Sequence, residues 1–180
     1  MTYYGAADLA AAYRTVRTNT IAIANEIPED KYGYSIAPGS RTVAQTLVHI
    51  GLSPQFALLV HGQKATDLKT VNFQDLFIKL HAEEAKPRAK AEIVSFLTSE
   101  GEAFATFLSG LSDDFLAERV TQMPGSTPAT KTRFEMLLSP KEHEMHHRGQ
   151  LMLVERALGI VPHLTRQMQE RMAALAARRS

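Results

Sequence analysis

Apolar side chains recur along most of this sequence at steps of three and four residues, the period of one face of an α-helix. In residues 6–27 the pattern runs through Leu9, Tyr13, Val16 and Ile23. Strands require alternation at every second residue, and no stretch of useful length has it. The sequence therefore predicts an all-α protein.

Capping residues and helix breakers divide the rest of the pattern. A second helix opens at Thr42, which forms a capping-box pattern with Gln45, and runs to about Gly62 with a kink at Pro54. The other predicted helices run from Asn72 through Leu80, from Pro87 to Ser109, from Lys131 to Leu158 with a kink at Pro140, and through a C-terminal apolar stripe of Leu164, Met168, Met172 and Leu175. Four long helices with additional short ones predict a four-helix bundle and a single domain over residues 1–180. The C-terminal stripe predicts a cover over this bundle or a dimer interface.

The composition excludes several classes of function. With 20 basic and 19 acidic residues, the chain has no positive field of the kind that binds nucleic acid. There is no leader pattern at the start, and no apolar run approaches the roughly 18–20 residues of a membrane span, so we expect a cytoplasmic protein with no membrane partner. The sequence contains no cysteine, so any thiol chemistry must use a thiol from outside.

The string HEMHH at residues 143–147 matches the H-E-x-x-H pattern of zinc peptidases. At about 100° per residue, His143 and His147 lie in the apolar stripe of the helix, whereas Glu144 and His146 fall on its two flanks and do not point to the bundle centre. Each buried imidazole needs partners for two ring nitrogens, and a shared metal ion satisfies one nitrogen of both. A metal site is therefore our interpretation, with hydrogen-bonded core histidines as the alternative.

The second helix offers a third imidazole. His49 points into the apolar stripe of that helix, whereas His61 falls about 120° away near the helix end and is predicted to be exposed. His49, His143 and His147 are thus candidates to converge from two helices on one divalent cation such as Zn²⁺ or Ni²⁺. Three protein nitrogens leave a position open for water or substrate.

A peptidase requires more than this motif. A metzincin has glycine and histidine where this chain has Gln150 and Leu153. A gluzincin would have only Glu155 or Glu170 as its third ligand, and no strand-like segment is available to hold an extended peptide. A ferritin-like di-iron site needs a second Glu-x-x-His, which is absent.

Two stretches resemble the DinB/YfiT-like metalloenzymes, in which a histidine of helix two accompanies H-x-x-x-H-R-G-Q on the last bundle helix. They are SRTVAQTLVHI (40–50) and EHEMHHRGQLMLVERALGIVPH (142–163), and PEDKYGYSIAPGSRTV (28–43) extends the likeness over most of the chain. The resemblance implies a four-helix bundle, frequent homodimers and a divalent site that often holds Zn or Ni. It assigns the metal ligands to His49, His143 and His147. Some relatives are S-transferases or isomerases that use low-molecular-weight thiols, and many have no assigned activity.

The leading functional hypothesis is an enzyme whose cation activates an exogenous thiol or water for reaction with a small-molecule substrate, as in a thiol S-transferase or a hydrolase. Four side chains that flank the ligand face are candidates to orient the substrate or to hydrogen-bond the ligands: Gln45, Ser53, Glu144 and Gln150. The competing hypothesis is a non-catalytic metal-binding or stress-response bundle, in which the ion ties two helices together. A site that binds no metal is the third.

Overall fold

Eight α-helices and one small hairpin make up the part of the chain that the computed structural model describes, residues 4–178. In chain order the elements are α1 (Ala6–Glu26), a 3₁₀ turn (Glu29–Lys31), α2 (Val43–Leu52), α3 (Pro54–Ala57), a π-helix (Leu58–Gly62), a 3₁₀ turn (Leu68–Thr70), α4 (Phe73–Glu84), α5 (Lys90–Ser109), α6 (Asp113–Ala117), β1 (Arg119–Thr121), β2 (Thr130–Thr132), α7 (Arg133–Ala157) and α8 (His163–Ala177). The four-helix bundle consists of α1, α2 with its continuation, α5 and α7; α1 and α2 each pack against α5 and α7. The predicted fold class is confirmed.

Capping boxes fix where the two site-bearing helices begin. At α2 the Thr42 hydroxyl accepts from the Gln45 N–H at 3.2 Å, and Gln45 Oε1 accepts from the Thr42 N–H at 3.0 Å, as predicted. Thr132 and Glu135 form the same arrangement at the start of α7. Such a cap typically stabilises a helix by about 1 kcal/mol. The position of each cap thus sets which residues of α2 and α7 face the bundle interior.

Two apolar clusters fill the bundle. The first includes Leu47 and Ile50 of α2 together with Leu97 of α5 and Leu151 of α7, all of them at most 1% exposed. The second surrounds Tyr13 of α1. Burying a large apolar side chain contributes about 1.5–3 kcal/mol, so the shared core holds α2 and α7 side by side.

The second bundle helix is divided rather than simply kinked. α2 ends at Leu52 and α3 begins at Pro54, which has no N–H to continue the helical hydrogen bonds. Leu58–Gly62 then forms a π-helix, in which one turn holds an additional residue. By contrast, α7 continues through Pro140 as one helix.

The chain also contains one short hairpin that the sequence pattern did not reveal. β1 and β2 pair antiparallel, with Arg119 opposite Thr132 and Thr121 opposite Thr130. Each strand has three residues, too few for a period of two to be recognised in the sequence. The pairing buries Val120 completely in a third apolar cluster beside the π-helix.

The C-terminal helix does not cover the bundle in the described chain. Met168, Met172 and Leu175 of the predicted stripe are 59%, 59% and 51% exposed. The start of α8 is fixed to α1 by an ion pair between Arg166 and Glu26. The apolar stripe of α8 therefore faces outward.

The stretch Val43–Gly62 has the length and apolar composition of a membrane span, contrary to the expectation that no run would qualify. This stretch contains no Asp, Glu, Lys or Arg, so its few polar side chains leave its mean hydropathy high. Half of this apolar stretch is buried inside the fold, as in the core helix of a globular domain.

Candidate metal centre

Three imidazoles meet between α2 and α7. Nε2 of His143 lies 3.2 Å from Nε2 of His49 and 3.2 Å from Nε2 of His147. The potential ligand atoms of the three residues all lie within 4.8 Å of one another, close enough to hold one metal ion. The structure thus brings together the three residues that the helical phases selected.

The spacing of these nitrogens fits a first-row metal. Ligand nitrogens at about 2.0–2.1 Å from a tetrahedral zinc ion are separated from one another by about 3.3 Å. The observed separations of 3.2 Å are close to that value. Three imidazoles would occupy three positions of a tetrahedral ion and leave the fourth open.

The outer nitrogens of two rings determine where their protons lie. Nδ1 of His49 lies 3.1 Å from Oε2 of Glu84, and Nδ1 of His147 lies 2.7 Å from Oε1 of Gln150. Both oxygens accept, so each Nδ1 carries the proton and each Nε2 presents a lone pair. Nε2 of His143 has one proton at most in its neutral form and can donate to only one of these lone pairs. A shared cation satisfies all three.

Burial keeps these imidazoles neutral, which is the form that binds metal. Desolvation, with the neighbouring His147, lowers the pKa of His143 to about 4. Desolvation is also the main cause that lowers the pKa of His49 and of His147. In addition, Nδ1 of His143 is buried without a hydrogen-bond partner in the described chain, so this polar cluster is not satisfied by the protein alone.

Glu84 is the residue of the site that sequence reasoning missed. It ends α4, lies 35 positions from His49, and also binds Nε of Arg41 at 2.5 Å. A carboxylate behind a ligating histidine fixes the ring orientation and increases its basicity. No motif marks this role, because it arises only from the packing of α4 on α2.

Two cavities of more than 400 Å³ adjoin the three histidines. One of about 490 Å³, here called the Phe73 cavity, is lined by His49 and His143 and by apolar side chains that include Phe56, Leu68, Phe73 and Met136. The other, of about 680 Å³ and here called the Arg41 cavity, is lined by His147, Gln150, Arg41, His81 and Glu84. Cavities of this size accommodate small organic molecules. The three histidines thus contribute to the walls of two separate cavities.

Glu144 belongs to the core and not to these cavities. It is 0% exposed, whereas its helical phase predicted a flank of the stripe away from the bundle centre. Oε1 accepts from Nε of Arg17 at 2.9 Å and Oε2 accepts from Nη2 at 3.0 Å. Gly101 of α5 makes room for this arginine, since a Cβ there would lie 2.7 Å from its Cγ. The glutamate that serves as general base in H-E-x-x-H peptidases is therefore committed to an internal ion pair.

The remaining candidates occupy different positions. Gln150 contacts His147 directly, and its amide nitrogen lies 3.2 Å from Nε2 of the exposed His146. Ser53 lines the Phe73 cavity, although its hydroxyl donates to the carbonyl of Ile50. Gln45 lines the Arg41 cavity, but its side chain caps α2.

The prediction that His61 is exposed is wrong. His61 is 2% exposed and lines the Phe73 cavity. The helical phase was counted at 100° per residue through Leu58–Gly62, where the chain is a π-helix with more residues per turn. The count therefore rotated His61 too far from the interior.

The family follows from a sequence comparison. The sequence profile of the DinB superfamily matches residues 12–151. The chain belongs to the DinB superfamily. This confirms the family resemblance of the two histidine-bearing stretches. No curated protein sequence matches the chain.

Solved structures of DinB-like proteins share the fold. A DinB-like protein from Bacillus subtilis is 21% identical, with a TM-score of 0.61 over 84% of this chain and 92% of that one. One from Bacillus cereus is 18% identical, with a TM-score of 0.64 over 86% and 93%. YfiT from Bacillus subtilis is 13% identical, with a TM-score of 0.67 over 89% and 91%, and is described as a probable metal-dependent hydrolase with an unusual four-helix bundle topology. At these identities the likeness establishes the bundle fold.

Proposed function

We propose that this DinB-superfamily protein is a metal-dependent enzyme whose divalent cation, zinc or nickel, activates a low-molecular-weight thiol or water for attack on a small electrophilic substrate. The observation that carries the proposal is the convergence of three Nε2 atoms, that of His143 at 3.2 Å from each of the other two and all within 4.8 Å of one another; the Nε2 atoms of His49 and His147 present lone pairs. When bound, the cation would stabilise the anionic, nucleophilic form of the thiol or water.

The side chains around this centre have separate tasks in the proposed reaction. His49, His143 and His147 hold the cation in their neutral form. Glu84 and Gln150 accept the Nδ1–H of two of these rings and keep their orientation. Arg41 in turn holds Glu84. The protein thus prepares the centre before a substrate arrives.

Thiol transfer is the form of the reaction that the two cavities favour. Such a reaction needs a thiol and an electrophile at one centre, and the Phe73 and Arg41 cavities give the histidines two separate approaches. A new sulfur–carbon bond forms, the leaving group departs with its electron pair, and the thiol proton passes to solvent. The absence of cysteine means that the sulfur comes from a second molecule.

Hydrolysis is the second candidate. The structural likeness to YfiT, which is described as a probable metal-dependent hydrolase, favours it. The same three histidines would hold the cation, and water would replace the thiol as nucleophile. The substrate would then need only one of the two cavities.

Metal analysis tests the centre itself. We expect about one divalent ion per chain in the wild type and in His146→Ala, since His146 is exposed and does not belong to the group of three convergent histidines. His143→Ala should lose the ion. At free metal 100 times above the Kd, the wild type should gain about 2.7 kcal/mol of stability in denaturant unfolding, and His143→Ala should gain none. Equal metal content in wild type and His143→Ala would refute the site.

Turnover assays separate the chemical alternatives. Metal-loaded protein is incubated with cysteine and 1-chloro-2,4-dinitrobenzene, and in parallel with p-nitrophenyl acetate without thiol. Conjugation that depends on His143 supports the transferase, and ester cleavage with the same dependence supports the hydrolase. An ion that stabilises the fold while wild type and His143→Ala react equally in both assays would favour the non-catalytic bundle.

Homodimerisation and a cytoplasmic location stay predictions. The outward stripe of Met168, Met172 and Leu175 on α8 supports a contact between two copies. Light scattering after size exclusion should give twice the chain mass for the wild type, and Met172→Glu should shift it toward the monomer. A wild-type monomer would contradict the prediction.

A further inference from the structure

A buried histidine outside the metal centre lines the Phe73 cavity. His61 lies in the π-helix Leu58–Gly62, is 2% exposed, and is not among the three convergent histidines. It shares the cavity with His49 and His143. The same cavity therefore contains potential metal ligands and a separate polar group.

Arg133 determines which ring nitrogen of His61 carries the proton. Nη1 of Arg133 lies 3.3 Å from Nδ1 of His61. An arginine only donates, so Nδ1 accepts and the proton resides on Nε2. The guanidinium is fixed from other sides by Oε2 of Glu118 at 2.8 Å and the carbonyl of Lys64 at 3.2 Å. Arg133 is itself 0% exposed.

The opposite nitrogen of His61 has no hydrogen-bond partner among the described residues. Within residues 4–178 no group accepts a hydrogen bond from Nε2. This nitrogen also keeps some accessible surface, unlike the fully buried polar atoms that have no partner. The ring lines the cavity, and Nε2–H is its one donor that the protein leaves available to a ligand there. Burial and the charge of Arg133 lower the pKa of His61 to about 4, so the ring remains a neutral donor at neutral pH.

The surroundings determine what this donor can recognise. The cavity wall combines apolar side chains such as Phe56, Leu68 and Phe73 with polar ones, which include Gln122, Lys131, Glu135, Ser139 and Glu142. An N–H donor without a partner in the protein favours a ligand with a hydrogen-bond acceptor, because a ligand without one leaves the donor unpaired. The neutral ring of His61 carries one N–H, because its Nδ1 accepts from Arg133, and it can therefore donate one hydrogen bond to a ligand.

We propose that Nε2–H of His61 is a substrate-recognition group that binds the carbonyl oxygen of an apolar amide or carboxylate in the Phe73 cavity and thereby orients that molecule toward His49 and His143. The inference rests on the proposed function for the cavity being a substrate pocket. It assigns to His61 a specificity role separate from metal binding.

Binding of matched probes tests the recognition. 3-Phenylpropionamide and 3-phenylpropionate carry the carbonyl oxygen as a neutral amide and as an anion, and propylbenzene carries the same apolar body without an acceptor. We expect the wild type to bind at least one of the two carbonyl probes about fivefold to tenfold more tightly than propylbenzene, the usual effect of one hydrogen bond. The two carbonyl probes, compared with each other, show whether a neutral or a charged group is preferred.

Two variants connect that preference to His61. His61→Phe keeps a ring and removes the donor, so the ratio between carbonyl probe and propylbenzene should fall to about one. His61→Gln keeps an N–H together with an acceptor for Arg133 and should retain part of the ratio. An unchanged ratio in His61→Phe overturns the proposal.

Wild-type protein provides a test that does not depend on how the variants fold. Saturation with the preferred carbonyl probe should shift the His61 Nε2–H resonance in ¹H–¹⁵N spectra, while propylbenzene should shift it far less. No shift at saturation overturns the proposal.

Chelator-treated protein separates this inference from the metal hypothesis. A carbonyl preference that survives chelation and disappears in His61→Phe supports recognition by His61, whether or not the chain binds metal. A preference that disappears on chelation assigns it to the cation instead and overturns the role of His61.

Discussion

Neighbouring residues of α7 serve two polar sites of different kinds. Glu144 is completely buried and both of its oxygens are bound by Arg17, so its charge is neutralised within the chain. His143 and His147 point to another side of the helix, where their Nε2 atoms meet that of His49 and two cavities adjoin them. The difference teaches that burial alone does not identify a functional group. The better candidate is a group of polar side chains whose donors and acceptors are not all hydrogen-bonded within the protein and which line a cavity.

The largest expected effect on stability comes from breaking the buried ion pair between Glu144 and Arg17. Glu144→Ala leaves the guanidinium of Arg17 buried without its carboxylate, so the free energy of unfolding should fall by about 3–5 kcal/mol. Chemical denaturation measures it. The matched control is Glu102→Ala, which removes the partner of the exposed Arg14 and should cost far less, because solvent screens this pair. Similar losses in both variants would contradict the structural role of Glu144.

Glu155 sharpens the comparison, because it lies on nearly the same face of α7 as Glu144 but lacks an arginine partner. Eleven residues at about 100° each return to within roughly 20° of the starting direction. Both carboxylate oxygens of Glu155 are buried without a hydrogen-bond partner in the described chain. Burial, and next the nearby carboxylate of Glu26, raise the pKa of Glu155 from 4.5 to about 7.

The raised pKa of Glu155 gives a pH dependence with a definite sign. Below about pH 4.5 the carboxyl is protonated in the folded and the unfolded chain, and its burial has no electrostatic cost. Between pH 4.5 and 7 the folded chain retains the proton that the unfolded chain loses, so the stability contribution falls as pH rises. Glu155→Gln should therefore be more stable than the wild type at pH 8, by about 3 kcal/mol relative to their difference at pH 4.5.

Denaturant unfolding of both chains across this pH range measures the effect. Histidines with a lowered pKa, such as His61, change the stability in the opposite direction, and their contribution cancels in the difference between the two proteins. A difference that does not change with pH would show that Glu155 is ionised in the fold at neutral pH.

At the three convergent histidines, Glu84 holds the ring of His49 and should affect metal affinity more than the free energy of unfolding. Glu84→Gln should weaken metal binding about 10–100-fold, because the orientation and basicity of the ring depend on this acceptor. Titration with a competing chelator measures the Kd. Glu83→Gln on the same helix is the control, since Glu83 pairs with Lys86 and Arg88 and should leave the Kd unchanged. Equal affinities in all three proteins would remove Glu84 from the site.

The smallest effect is expected for Gln45, which lines the Arg41 cavity but caps α2 with its side chain. Gln45→Ala should lower the free energy of unfolding by about 0.5–1 kcal/mol, because one N–H at the start of α2 loses its acceptor. Metal affinity should stay as in the wild type. A weakened Kd with unchanged stability would instead place Gln45 among the groups that serve the open site.

Sequence periodicity was sufficient for the parts of this protein that local geometry determines. The helices that carry His49, His143 and His147 are regular around these residues, so counting 100° per residue gave their common inward direction. The capping box at Thr42 likewise involves residues only three positions apart. Both could be predicted because neither depends on how the chain folds back on itself.

Sequence periodicity could not predict contacts between segments that are far apart in the chain. Arg17 and Glu144 are 127 positions apart, and nothing in the local pattern of either predicts the pair. Glu84 reaches His49 only because α4 packs against α2. The error at His61 has a local cause, since the phase count assumed an α-helix where the chain forms a π-helix.

That π-helix makes the number of residues in a segment as important as their identity. Deleting one residue between Leu58 and Gly62 would allow the ordinary 3.6-residue turn to return, and the side chains of this segment would then point in other directions relative to α3. The imidazole of His61 would then leave the wall of the Phe73 cavity, although neither it nor any of the three convergent histidines had been replaced. Insertions and deletions in this short segment thus offer homologous chains a way to exchange one cavity-lining side chain for another while the metal centre stays intact.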